Sequence, residues 1–337
     1  MSEPAHLRMI LGLMVVGPPD VPGARLTGLD NITAAFDMFQ ARGHAEIDTA
    51  RLYLGGKQEA FTREARWKER GLRVATKAYP IQPGLHAPEI LADTLETSLR
   101  ELGTECVDDR SIPFATTLEA VDKLYKAGKF KRLGLSNYTA FEVAEIALTC
   151  AHRGLGVRPT VYQALYNPLF RNIEDELVPA CRRYGLAIDA YSPTGGGFLA
   201  GHITSVAADP AEGRFSKGPL AHFTRGRYFR EGIVEGASII REAAERAGIP
   251  PLEVALRWIA HHSVLSPEKG DGVVLGFSKL DQLRDNLDAL EKGPLGSELL
   301  DALEAAWRVA RQDADHYWQM PMVYGYDTEE VLFGDKG

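Results

Sequence analysis

Cysteine is scarce in this chain of 337 residues: Cys106, Cys150 and Cys181 are widely spaced and odd in number. With no CxxC pair and no histidine at ligand spacing, a disulfide-stapled scaffold and a zinc site are both excluded. A reduced, cytosolic protein without a bound metal is expected. Positive charge is not in excess either. A net charge of -8 and a pI near 5.7 exclude a protein that holds nucleic acid by bulk electrostatics. Long apolar runs are missing too: Met9 to Val16 is too short to span a membrane, so no membrane partner is expected. No small-residue cleavage site follows it, so it reads as an interior strand, not a signal sequence. Asn31-Ile-Thr and Asn137-Tyr-Thr match the glycosylation pattern by chance. Repeats and low-complexity tracts are absent.

What is present is ordinary for a folded protein, with 45% hydrophobic and 25% charged residues. Short apolar runs at 9–17, 45–50, 73–79, 132–137, 160–167, 186–193 and 272–278 have strand length. Between them lie stretches of helical spacing. Asn31 caps one at its start and Gly43 stops it; Thr139 and Gly154 play those parts for another. Further helices are predicted at 88–103, 116–127, 173–184, 234–262 with a break at Pro250-Pro251, and 281–291. Strands that alternate with helices imply parallel pairing. Length favours the closed (βα)8 TIM barrel, and the absence of a GxGxxG after the first strand weakens the open dinucleotide-binding sheet. The chain is expected to form one barrel domain over 1–337, with residues 319–337 as a C-terminal tail.

One strand is missing from that count. Between the helices at 88–103 and 116–127 stands only ECVDDRSIPF, residues 105–114, in which Asp108, Asp109, Arg110 and Pro113 all oppose a central strand. The fourth strand is therefore truncated or missing, with at best a stub at 105–108. The stretch from 195 to 230 has no clear period and reads as a long loop on the carboxyl rim, where barrel active sites are built.

Two strand ends carry chemistry. IDTARLY places Asp48 at the end of one and Tyr53 on the loop beyond, and VATKAYP places Lys77 at the end of the next. A tyrosine, with a reference pKa of about 10, gives up its proton poorly at neutral pH unless an ammonium stabilises the phenolate. A carboxylate beside that lysine holds it in place. Such a set suits proton donation to a carbonyl oxygen as hydride reaches the carbon.

With GKFKRLGLSNY, TVYQALYN, SPTGGGFLAGH and VVLGFSKLDQLRDNL, these motifs resemble in order and spacing the aldo-keto reductases, most closely the aflatoxin-aldehyde reductase branch. The resemblance covers Met9 to Trp318. It implies a barrel that binds NADPH and reduces an aldehyde or ketone, a small-molecule carbonyl substrate, with Tyr53 as proton donor and substrate contact, assisted by Lys77 and Asp48. It further implies that Ser136, Asn137 and Gln163, with Asp48, line the nicotinamide site. Ser192, Pro193, Gly195, Gly196, Gly197 and Leu199 would wrap the pyrophosphate, in keeping with the close approach to an anion that glycine allows. Arg214, Ser278, Gln282 and Asn286 match positions that hold the adenosine and its 2'-phosphate, for which a guanidinium fork is suited. Arg227 matches a substrate-contacting arginine and favours a carboxylate-bearing or polar substrate. The branch also suggests a homodimer.

The chain departs from the pattern where the fourth strand ends. The family places a leucine-histidine pair there, and its histidine orients the substrate carbonyl; here Val107-Asp108 runs directly into Asp109-Arg110-Ser111. His44 does not match that position, and His86 reads as an exposed loop residue. His202 and Gln319 stand where lysine and arginine are usual. Three readings follow: an incorrect reading frame, an enzyme with altered chemistry, or a regulatory or partner-binding protein that holds NADP(H) without turnover. For an enzyme, detoxification and a tailoring step in secondary metabolism are both compatible.

Overall fold

Val, Ile and Leu at the strand positions bury both faces of the sheet, which is what parallel strands flanked by helices require. The computed structural model describes residues 6–78, 84, 86–101, 106–107, 111–216, 221–319 and 321–334, with backbone alone for Leu99, Cys106 and Val107. Eight strands form one sheet: β1 (Arg8–Gly12), β2 (Glu46–Asp48), β3 (Arg73–Ala75), β4 (Cys106–Val107), β5 (Leu133–Ser136), β6 (Pro159–Leu165), β7 (Ala187–Tyr191) and β8 (Gly272–Gly276). Their order is β3-β2-β1-β8-β7-β6-β5-β4. This is the cyclic order of a (βα)8 barrel interrupted between β3 and β4, so the fold expected from the sequence is observed, with two residues of its fourth strand among the described residues.

Among the described residues the stub pairs with β5, Cys106 opposite Gly134 and Val107 opposite Leu135. At the other end of the order, Arg73 and Ala75 of β3 are exposed. The run at 9–17 is not one strand: it stops at Gly12, and Val16–Gly17 pairs separately with Leu26–Thr27.

Contacts group the chain into two compact units, one of residues 1–11, 164–178 and 189–317, the other of residues 12–163, 179–188 and 318–337. In the first, the helix Glu231–Ala247 lies against the helix Ser297–Ala310. Gly236 permits the approach, because a Cβ there would stand 2.9 Å from both the Ala306 carbonyl and the Leu169 side chain. The predicted break at Pro250-Pro251 is present, with a second helix at Pro251–His261. The helices predicted at 173–184 and 281–291 are present as Leu177–Tyr184 and Leu280–Leu290.

The second unit holds the helices Leu29–Ala41, Gln58–Glu64, Pro88–Glu101, Phe114–Lys126 and Ala140–His152. Thr139 caps the last of these with a full capping box, its hydroxyl accepting from Glu142 N and Glu142 accepting in return, and Gly154 follows its end at φ 61°. Asn31 does not cap its helix. Gly28 holds that position, and Asn31 lies in the first turn with its amide donating to the Thr27 carbonyl at 2.7 Å. Among the described residues no helix is long and apolar enough to cross a membrane.

Candidate active site

β2 pairs with β3 so that Asp48 stands opposite Ala75, and Lys77 lies two residues further along. That register brings the two side chains together: Lys77 Nζ donates to both Asp48 oxygens at 2.6 Å and to the Thr49 carbonyl at 2.7 Å. Asp48 is 3% exposed, and burial of a carboxylate requires such partners. Gln163, on β6, donates to Asp48 Oδ1 at 2.9 Å. The Lys77 ammonium lies 5.3 Å from the centroid of the half-buried Tyr53 ring. Asp48, Tyr53, Lys77 and Gln163 therefore form one cluster in the second unit.

Tyr53 opens a tight turn in which Leu54, Gly55 and Gly56 all have left-handed backbone, at φ 51°, 61° and 83°. Arg51 holds this turn, a role that the sequence motifs do not assign. Its guanidinium donates to the Gly56 carbonyl and to Glu59, and to Glu101 at 2.5 Å. Glu59 is fully buried, and its other oxygen accepts from Thr76 Oγ1 at 2.6 Å. Since Thr76 precedes Lys77, the Arg51–Glu59–Thr76 chain ties the turn bearing Tyr53 to the strand end bearing Lys77. The only sequence signal is an arginine and a glutamate flanking the turn in RLYLGGKQE.

Ser136 ends β5 opposite Gln163, and Asn137 beyond it is 7% exposed with left-handed backbone at φ 58°. His86 is not exposed, contrary to the sequence reading. It is 1% exposed, with Nε2 3.3 Å from the carbonyl of Ala78, the residue after Lys77. Nearby, Gly84 N donates to Ser111 Oγ at 2.7 Å. His44 packs on Phe39, with ring centroids 5.0 Å apart.

In the first unit the stretch after β7 folds into a glycine turn, Gly195–Ala200. Ser192 has φ 54°, and its carbonyl accepts from Gly195 N at 2.9 Å and from Asn167 Nδ2 at 3.0 Å. Pro193 and Leu199 are buried beneath the turn. Gly195, Gly196 and Gly197 are all at positive φ, and a Cβ on Gly196 would stand 3.0 Å from Arg214 Cδ. The N–H groups of Gly195 and Gly197 are spent within the turn, on the Ser192 and Thr194 carbonyls, so what the turn offers an anion is close approach past glycines that lack a Cβ and the Arg214 guanidinium laid against it.

After β8, Gln282 Oε1 accepts from Ser278 N at 2.8 Å and from Ser278 Oγ at 3.2 Å. Asn286 is 4% exposed and reaches the Gly276 carbonyl at 3.4 Å. The expected loop at 195–230 contains a helix, Ala221–Tyr228, that ends in buried Arg227 and Tyr228. Tyr228 is unsuited to proton donation: burial pushes its phenol up to about 12. His202 is exposed, and Gln319 has left-handed backbone at φ 54°.

A tyrosine, a lysine and an aspartate are thus gathered at the ends of β2 and β3 of a (βα)8 barrel. The profile of the aldo/keto reductase family matches residues 8–308, and the chain belongs to that family. An aldo-keto reductase of Pseudocercospora fijiensis is 42% identical over 294 residues, covering 84% of this chain and 99% of that one. Human aldo-keto reductase family 7 member A3 is 39% identical over 298 residues, covering 83% and 90%. Human aflatoxin B1 aldehyde reductase member 2 is 36% identical over 334 residues, covering 94% and 90%.

Proposed function

We propose that this protein is an NADPH-dependent carbonyl reductase of the aflatoxin-aldehyde reductase branch. The observation that carries the reading is the Asp48–Lys77–Gln163 cluster beside the Tyr53 ring. Tyr53 gives its phenolic proton to the carbonyl oxygen while the carbon accepts hydride, so an aldehyde or ketone becomes an alcohol. Lys77 stabilises the phenolate left behind, Asp48 fixes Lys77, and Gln163 fixes Asp48. Bound NADPH would supply the hydride. Ser136, Asn137 and Gln163 would hold its nicotinamide, and Ser192, Pro193, Gly195, Gly196, Gly197 and Leu199 its pyrophosphate. Arg214, Ser278, Gln282 and Asn286 would hold the adenosine end. The Gly196–Arg214 contact fits that assignment, and the names of the human relatives support an aldehyde as substrate.

With the strand-four histidine absent from the sequence, the carbonyl is oriented by the remaining groups. Tyr53→Phe is expected to lower aldehyde-dependent NADPH oxidation by about 100-fold or more while NADPH binding, read by fluorescence, stays within about twofold. A second reading, an NADP(H)-binding protein without turnover, is favoured by the two-residue β4. NADPH binding with no reduction of any aldehyde in a panel would establish that reading and remove the first.

A further inference from the structure

The C-terminal tail lies beyond residues 8–308, the stretch that the family profile matches, yet it reaches the turn that follows β5. In that turn Ser136 ends the strand and Asn137 has left-handed backbone at φ 58°. A residue with a Cβ keeps such a conformation only where its surroundings hold it. The hold comes from the residues just after. Tyr162 donates to the Tyr138 carbonyl at 2.6 Å, and the Tyr138 ring meets Phe114 edge-on with centroids 5.5 Å apart. Thr139 donates twice to Glu142 Oε2, from N at 2.7 Å and from Oγ1 at 2.9 Å.

Glu142 is fully buried, and a buried carboxylate depends on the donors aimed at it. Tyr324, from the tail, supplies one: its hydroxyl donates to Glu142 Oε1 at 2.8 Å. The Tyr324 ring also lies edge-on to Phe114, centroids 6.4 Å apart, so Tyr138 and Tyr324 pack on the same phenylalanine. The next residue, Gly325, passes so close to Ser111 that a Cβ there would stand 2.8 Å from the Ser111 carbonyl oxygen. The tail is therefore seated at two points, on Ser111 and on Glu142.

We propose that Tyr324 is a positioning residue for the cofactor: through Glu142 it holds the turn that presents Ser136 and Asn137 to the nicotinamide carboxamide. The proposal rests on the carbonyl-reductase reading, from which the role of those two residues comes. Without the phenol, Glu142 loses a charge-assisted bond and its carboxylate can turn away from Thr139. Asn137 then leaves its left-handed conformation in part of the molecules, and the apparent affinity for NADPH falls with the fraction that keeps it. Tyr53, Lys77 and Asp48 lie on other segments, so the reacting groups keep their geometry once NADPH is bound.

The test is Tyr324→Phe, which keeps the ring on Phe114 and removes only the hydroxyl. The Kd for NADPH, read by fluorescence, is expected to rise about tenfold, as the loss of one bond to a buried charge implies. At saturating NADPH, kcat and the aldehyde KM are expected to stay within about twofold. Val323→Ser, at a neighbour that is 72% exposed, should change none of these values. In a Glu142→Gln background, adding Tyr324→Phe should weaken NADPH binding by less than about twofold more, because the two residues act as one unit. Unchanged NADPH affinity in Tyr324→Phe overturns the proposal, and so does a loss of kcat at saturation as large as the loss of affinity, which marks a general structural role. Hydrogen exchange of the cofactor-free protein gives a readout independent of binding. The amides of 137–142 should exchange about tenfold faster in Tyr324→Phe, and equal rates count against the proposal. If no form binds NADPH, it is the carbonyl-reductase reading that fails, and the exchange rates still decide whether Tyr324 holds the turn.

Discussion

Arg51 holds the turn that carries Tyr53. Its fork meets three acceptors, Gly56 O, Glu59 and Glu101, and a lysine presents a single point charge instead. Arg51→Met is expected to lower kcat about tenfold to 100-fold, as small misplacements of a reacting group do, and Arg51→Lys should not restore it. It should also lower stability by about 3 to 5 kcal/mol, because Glu59 keeps a buried charge without its guanidinium. Adding Glu59→Gln should recover the stability in urea titrations but not kcat. Recovery of both would show that Arg51 only stabilises. Cys150 gives a simpler test. Burial, then the nearby Asp122, pushes its thiol up to about 11, so at neutral pH it is protonated as well as enclosed. Mass spectrometry after maleimide treatment should find Cys150 unlabelled until the protein is unfolded.

At the scale of elements, β5 and the helices Phe114–Lys126 and Ala140–His152 do not close fully on one another. Between them an apolar cleft of about 280 Å³, solvent at its mouth included, is lined by Phe114, Thr117, Leu118, Leu133, Leu135 and Ile146 among others. The Thr117 hydroxyl is buried there without a hydrogen-bond partner. An unpaired buried hydroxyl costs about 1 to 3 kcal/mol, so Thr117→Val should raise the unfolding free energy by about 1 kcal/mol in urea titrations. A loss of stability would mean that the hydroxyl is satisfied in solution. The interruption at β4 was legible, because Asp108, Asp109 and Arg110 cannot be hidden in a central strand. The seven other strands were legible from apolar runs, and the Thr139 cap from a threonine set just before a stretch of helical spacing. The helix Gln58–Glu64 was not, since it buries Gln58, Glu59 and Thr62, and apolar period does not reveal a helix with a polar buried face. Asn31 was misread for a related reason: asparagine in a first turn and asparagine at a cap look alike until the backbone angles are known, and Gly28 holds the cap.

Across the whole molecule, the residues most legible in the sequence were those whose chemistry is local to a strand end. Asp48 and Lys77 converge because parallel pairing of β2 and β3 fixes their register. Arg51 and Glu59 were not legible, because no spacing rule marks them as a pair within RLYLGGKQE and their further partners, Glu101 and Thr76, lie on other segments. Among the described residues the fourth strand is Cys106–Val107, and the sequence from 105 to 114 holds no histidine. The most direct measurement is single-turnover mixing of the NADPH-saturated protein with an aldehyde, using NADPH with and without deuterium at the transferred position. The expected result is loss of NADPH absorbance in step with alcohol formation, slowed by deuterium and abolished in Tyr53→Phe. Tight NADPH binding with no oxidation in the wild type would contradict the reductase assignment.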